Sequence, residues 1–303
     1  MPATVKSWLK AFRLRTLPLA LSSIAMGSFL AGAEKKFSWK IFSLSVTTTL
    51  FLQILSNLAN DYGDTEHGAD SGERVGPARA VQSGAISMTA MKNAMLLFGA
   101  LALVSGIALL YVSFGNLLTL HFLFFFLLGL GAIAAAVKYT AGKNPYGYKG
   151  WGDFFVFLFF GMIGVAGSYF LYTLEFKIDI LLPAASIGFL CAGVLNVNNM
   201  RDRISDSNTG KITMAVRLGA ANSTYYHLAL IFLAWFSAFT YTFLNYNSPA
   251  QFIYLITLPL FAMHLVKIIH NKEPALLDGQ LKALVLSTLA YCITFGISQL
   301  VNA

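Results

Sequence analysis

The sequence predicts an all-α integral membrane protein of nine transmembrane helices, with its N-terminus in the cytoplasm and its C-terminus outside. Three observations carry this. First, 57% of the 303 residues are hydrophobic and 11% are charged, against about a quarter charged in an ordinary soluble domain. Second, nine apolar segments each approach the roughly 20 residues that cross a hydrocarbon core. Third, 17 of the 21 Lys and Arg fall in alternate connections and only 4 in the others. The positive-inside rule puts the richer set in the cytoplasm. One span missed or invented would scramble that division.

The segments follow in order. A basic, amphipathic lead, "MPATVKSWLKAFRLRTLP", reads as an interfacial helix and not as a cleaved signal, because no small-residue cleavage site follows a short apolar core. The first span covers 16–33. The second covers 40–60 and contains "FSLSVTTTLFLQIL". The third and fourth, 91–113 and 117–137, are separated by the short "SFGN". The fifth, 153–173, opens with Asp153 before "FFVFLFFGMIGVAG". The sixth covers 179–198. The seventh and eighth, 222–244 and 250–269, flank "LNYNSP", and the ninth covers 281–301. Cys191 and Cys292 lie inside apolar runs and read as packing residues. The chain forms a single domain, 1–303, with two pseudo-related halves, approximately 1–140 and 141–303.

The polar residues gather on one side. Of 13 Asp and Glu, only Glu34, Glu175 and Asp179 fall in outer connections. Two cytoplasmic segments stand out. "NLANDYGDTEHGAD" ends the second span and "NVNNMRDRISD" ends the sixth. Each places Asn four residues before Asp: Asn57 before Asp61, and Asn198 before Asp202. Each adds a further acid, Asp64 or Asp206, and each precedes a basic loop containing Gly. Spacings of three and four put these groups on one helix face. Like charges there repel, and membrane depth adds a few kcal/mol of desolvation for each. A cation must offset that. Mg²⁺ binds through one or two carboxylates and keeps its other positions for water and phosphate oxygens. Asn60 and Asn199 stand in the same segments and count with Asn57 and Asn198 as candidate substrate contacts. The basic partners for a diphosphate are Arg74, Arg79, Lys138, Lys211 and Arg217. "HNKEPALLDGQ", between the eighth and ninth spans, carries acids and bases without this spacing and reads as a bland loop.

A third polar segment, "KYTAGKNPYGYKGWGDFF", contains Lys138, Tyr139, Tyr146, Tyr148 and Asp153. Three roles are open to its tyrosines: an interfacial belt, the wall of a pocket for an aromatic ring, or the shielding of a cation by their π-faces. Asp153 is either a helix-start acid or a substrate contact. The five histidines are scattered. No zinc, haem, Walker or dinucleotide motif is present. No nucleic-acid partner is expected, because the positive charge follows the topology.

The stretches "NDYGD", "RVGPARA", "KYTAGKNPYGYKGWGD" and "NNMRDRISDSNTGKITMAVRLG" together resemble the UbiA superfamily of membrane prenyltransferases. "GPARA" and "PYGYKGWGD" are similar to its 1,4-dihydroxy-2-naphthoate branch, which serves menaquinone biosynthesis. The resemblance spans nearly the whole chain. It implies a nine-helix bundle around a central cavity in the cytoplasmic (inner) membrane, with the active site facing the cytoplasm. It also implies Mg²⁺-dependent transfer of a polyprenyl group from a polyprenyl diphosphate to 1,4-dihydroxy-2-naphthoate, with loss of CO₂ and diphosphate. On this resemblance Asn57, Asp61 and Asp64 hold one Mg²⁺, and Asp202 and Asp206 another. Arg15, Arg79, Lys138, Lys211 and Arg217 hold the diphosphate. The chain has Gly68 where the superfamily pattern has a third Asp, the next acids being Glu66 and Asp70. It has Ala78 where the branch has a larger apolar residue. Two other readings stay open: a sister enzyme using 4-hydroxybenzoate or homogentisate, and a transporter made of two half-bundles. A transporter predicts acids at mid-span, whereas these stand at span ends.

Overall fold

A computed structural model describes residues 3–68, 75–76 and 78–302. Among them are nine helices long and apolar enough to cross a membrane, as the sequence predicts. A short amphipathic helix, α1 (Val5–Phe12), precedes them. Thr4 caps it by accepting from the Ser7 N–H. It ends at Arg13, whose φ of +49° turns the chain toward α2 (Leu17–Ala33). Then follow α3 (Trp39–Glu66), α4 (Met88–Phe114), α5 (Leu120–Lys138), α6 (Gly152–Thr173), α7 (Ile178–Asn208), α8 (Met214–Leu244), α9 (Pro249–Ile269) and α10 (Pro274–Leu300).

α3 and α7 outrun their predicted spans at the C-terminal end, and α8 and α10 do so at the N-terminal end. α3 has 28 residues and α7 has 31, so at 1.5 Å per residue each is more than roughly 40 Å long. The hydrocarbon core needs about 30 Å of that. The surplus carries the acidic segments, which therefore project past the apolar layer as helix. The predicted boundaries at 60 and 198 mark where hydrophobicity stops, not where the helix does.

The core forms around α2, α7 and α10, which are buried on most sides. α5 has no buried residue and stands at the outside of the bundle, with one face turned to an internal cavity. Lipid gives helices no hydrophobic reason to associate, so close packing must hold them. Gly161 shows how. A Cβ there would lie 2.6 Å from both the Ala184 oxygen and the Gly188 Cα, so α6 and α7 cross backbone to backbone. The stretch Phe157–Gly167 of α6 is wound as a π-helix. Tyr172 on α6 reaches Ser28 on α2 with a 2.9 Å hydrogen bond. At the far end from the acidic segments the outer charges pair with one another: Lys177 with Glu34 and Lys36 with Glu175, both at 2.8 Å.

Candidate active site

The helix ends of α3 and α7, the loop through Arg79, and the loop through Tyr148 meet at one end of the bundle. They close over a cavity of about 400 Å³. Its walls along the membrane are apolar, with Leu110, Phe126, Phe159 and Val194 among them. Its polar end carries Asn57, Asn60, Asp64, Arg79, Asn198, Asn199 and Lys211.

Asp64 is the hub. Arg79 donates to one carboxylate oxygen at 2.6 Å. Tyr148 donates its hydroxyl to the other at 3.0 Å, and Lys211 reaches that same oxygen at 3.3 Å. Asp64 and Arg79 are both buried. Lys211 also stands 3.8 Å from Asp206 and lies over the Tyr148 ring, 5.4 Å from its centroid. One ammonium thus joins the acidic end of α3 to that of α7. Gly63 lets α3 pack directly on the turn after α5, since a Cβ there would lie 2.4 Å from the Thr140 carbonyl carbon. Thr140 in turn donates to the Ala59 carbonyl at 2.9 Å.

The other motif residues have different partners. Asp61 accepts the Ala80 and Val81 N–H groups at 2.9 and 3.1 Å, and so anchors the loop that brings Arg79 to Asp64. The Asn57 amide donates to the Phe12 carbonyl at 2.9 Å and ties α1 to α3. Asp202 receives two bonds from Arg201, at 2.9 and 2.7 Å. Arg201 continues to Asp278 at 2.6 Å and to Asn198 at 2.9 Å. Arg15 reaches Asp278 at 3.0 Å. The segment "HNKEPALLDGQ" is therefore not bland, because its Asp278 links Arg15 on the N-terminal arm to Arg201 on α7.

Tyr139 and Tyr146 line the cavity, their rings 5.4 Å apart edge to face. Tyr146 donates to the Ala135 carbonyl at 2.9 Å. These two, with Tyr148 on Asp64, form a wall and not a belt. Burial pushes the Tyr139 phenol well above its ordinary range, and Asp153, Tyr146, Asp64 and Asp206 add to that. Burial raises Tyr146 as well. Both phenols stay protonated and act as donors.

Three expected cations do not line this cavity. Lys138 ends α5 and is exposed. Arg217 is on the first turn of α8, donates to the Lys149 carbonyl at 2.6 Å, and lines a second cavity together with Asp153. Arg15 pairs with Asp278, and reaches the cavity residue Asn198 only through Asp278 and Arg201. Arg74 and Asp70 lie outside the described residues. Arg13 does line the main cavity, although its sequence context marks it only as basic. Its left-handed φ is uncommon for a non-glycine residue and turns the chain at the cavity mouth.

Among the described residues no three His, Cys, Asp or Glu side chains cluster as a ready metal cage. The donor set nevertheless fits a hard cation. Asp64 and Asp206 offer carboxylate oxygens to a shared positive charge, a position the Lys211 ammonium now takes.

The model of the UbiA prenyltransferase family matches residues 20–295. The chain is 38% identical over 300 residues to the 1,4-dihydroxy-2-naphthoate octaprenyltransferase of Haemophilus influenzae, covering 98% of this chain and 97% of that one. It is 36% identical to the enzyme of the same name from Escherichia coli, covering 97% and 96%. In fold it is similar to a UbiA homolog from Aeropyrum pernix, with a TM-score of 0.69 at 16% identity over 95% of this chain and 98% of that one. A UbiA homolog from Archaeoglobus fulgidus bound to GPP and Mg²⁺ gives a TM-score of 0.66 at 19% identity, over 97% and 99%. The chain belongs to the UbiA prenyltransferase family and is an integral membrane prenyltransferase.

Proposed function

We propose that this protein transfers a polyprenyl group from a polyprenyl diphosphate to 1,4-dihydroxy-2-naphthoate. The products are CO₂, diphosphate and demethylmenaquinone in its hydroquinone form. The observation that carries the reading is the Asp64–Lys211–Asp206 junction at the polar end of an otherwise apolar cavity. The names of the relatives support the acceptor.

The chemistry follows from that layout. The allylic C–O bond breaks, leaving an allyl cation and diphosphate. Arg79 and Lys211 lie where they neutralise the departing charge, in a water-poor site where such charges act strongly. Mg²⁺, held by Asp64 and Asp206 with Asn57, Asp61 and Asp202 as further donors, would supply additional charge to the leaving group. The apolar walls hold the prenyl chain and keep water from the cation. The ring carbon bearing the carboxylate attacks, and a C–C bond forms. The bond to the carboxylate then breaks as CO₂ leaves, and its electron pair restores the aromatic ring. The protonated phenol of Tyr139 orients the acceptor by donating to one of its oxygens, and Tyr146, whose hydroxyl is held by the Ala135 carbonyl, packs as wall beside it.

The 17-to-4 division of basic residues supports a cytoplasmic site in the inner membrane. α3 and α7 each contribute one acidic end, consistent with two half-bundles meeting at the site.

Membranes containing the protein are incubated with labelled polyprenyl diphosphate and, separately, with 1,4-dihydroxy-2-naphthoate, 4-hydroxybenzoate or homogentisate. Mass spectrometry should find a prenylated, decarboxylated naphthoquinone only in the first. Product from 4-hydroxybenzoate alone would overturn the acceptor.

A further inference from the structure

The second cavity, also about 400 Å³, lies between α6 and α8 against α7. Asp153 and Tyr226 line it on the polar side, Phe157 and Phe189 on the apolar side, and Lys149 and Arg217 stand at its mouth. Asp153 is 6% exposed, and Tyr226 bonds its carboxylate. Among the described residues its Oδ1 has no hydrogen-bond partner. A buried carboxylate oxygen in that state is costly unless something supplies a donor. Lys149 and Arg217 are exposed at the mouth, where they can meet an anion, and Arg217 is held in place by its bond to the Lys149 carbonyl.

The order of these groups restricts the occupant. The site wants an O–H or N–H donor at its inner end, a flat apolar body between the phenylalanines, and an anion at its mouth. A phospholipid has the reverse order, because the donors of its headgroup lie outside its phosphate. A hydroxylated aromatic carboxylate has the right order. The cavity volume falls in the usual range for small-ligand sites. The wall shared with the main cavity is thin. Gly152 packs on the Tyr139 ring, where a Cβ would stand 3.0 Å from the ring and 3.2 Å from Leu195. Tyr139 and Leu195 both line the main cavity.

We propose that this second cavity binds a hydroxylated aromatic carboxylate outside the main cavity, its hydroxyl on Asp153 and its carboxylate on Arg217 and Lys149. It serves as a holding site one side chain away from the reaction chamber. The proposed acceptor chemistry supplies the choice of probe.

Isothermal titration of the purified full-length protein with 6-hydroxy-2-naphthoate, whose hydroxyl and carboxylate stand at opposite ends of the ring system, without metal or prenyl diphosphate, tests this. Arg217→Gln should weaken binding about tenfold, the loss of one charge-assisted hydrogen bond. Ala192→Phe, which fills the cavity floor, should abolish it. Removing the hydroxyl, as in 2-naphthoate, should weaken binding about tenfold in the parent protein and change nothing in Asp153→Ala. Unchanged affinity in both Arg217→Gln and Ala192→Phe would overturn the proposal. So would native mass spectrometry showing a phospholipid retained by the parent protein, lost from these variants, and not displaced by the probe. Membranes that prenylated no aromatic acid, while the probe still bound with this pattern, would sink the proposed reaction and leave the site standing.

Discussion

The Lys211 ammonium lies 3.3 Å from the Asp64 carboxylate, across the junction of two helices that stand four spans apart in the chain. It stands 3.8 Å from Asp206 as well. Removing it leaves two acids facing each other in a mostly buried setting. Lys211→Met should cost about 3 kcal/mol or more of stability without divalent cation, the typical result of breaking a buried pair. Mg²⁺ should restore much of that loss. Thermal unfolding with EDTA and with Mg²⁺ reads both effects. Equal melting under the two conditions would separate the metal from this junction.

Asp61 and Asp64 belong to one motif but are bonded differently. Asp64→Asn should abolish turnover and, because it leaves the buried Arg79 without its carboxylate, cost about 3 kcal/mol of stability. Asp61→Asn should release the loop at Ala80 and Val81, because an amide cannot accept from both N–H groups with both of its terminal atoms. Limited proteolysis should therefore cut the region between 67 and 87 faster in Asp61→Asn than in Asp64→Asn. Identical cleavage would contradict the anchoring role.

The chain through Asp278 makes a graded prediction. Arg201→Met strands Asp202, which is buried, and should cost about 3–5 kcal/mol. Asp278 is half-exposed, its side chain 41% accessible. Asp278→Ala should cost under about 1 kcal/mol, as exposed ion pairs do. Chemical denaturation in detergent would show the difference, and a reversed order would refute the hierarchy.

Gly63→Ala tests the backbone approach that seats the site. With the Thr140 carbonyl carbon 2.4 Å from the new Cβ, α3 and the Tyr139–Thr140 turn must separate. The expected loss is about 1–3 kcal/mol. Activity should fall with it, because Tyr139 moves away from the cavity. Gly131→Ala, which meets open space on α5 away from the cavity, serves as the control.

The sequence made the bundle legible because lipid imposes a simple rule: long apolar runs, with charges divided by side. The paired Asn/Asp segments were legible because helical spacing is regular. Partner choice was not. Nothing local tells that Asp278, in an ordinary-looking loop, joins Arg201 on α7 to Arg15 on the N-terminal arm. The same holds for Arg217, which has a basic neighbourhood in the sequence but faces a different cavity. His227 and His264 read as scattered, yet their Nε2 atoms meet at 2.9 Å between α8 and α9. Long-range register decides these contacts, and one sequence does not encode it locally. Gly63 carries no local signal either, and the Thr140 backbone packed against it explains the residue.

The central claim is that Asp64 and Asp206 together form the cation-dependent diphosphate end of the main cavity. Calorimetric titration of geranyl diphosphate into the purified protein, with and without Mg²⁺, tests it most directly. Binding should be Mg²⁺-dependent in the parent protein and lose that dependence in both Asp64→Asn and Asp206→Asn. Mg²⁺-dependent binding of parent affinity in either variant would contradict the claim.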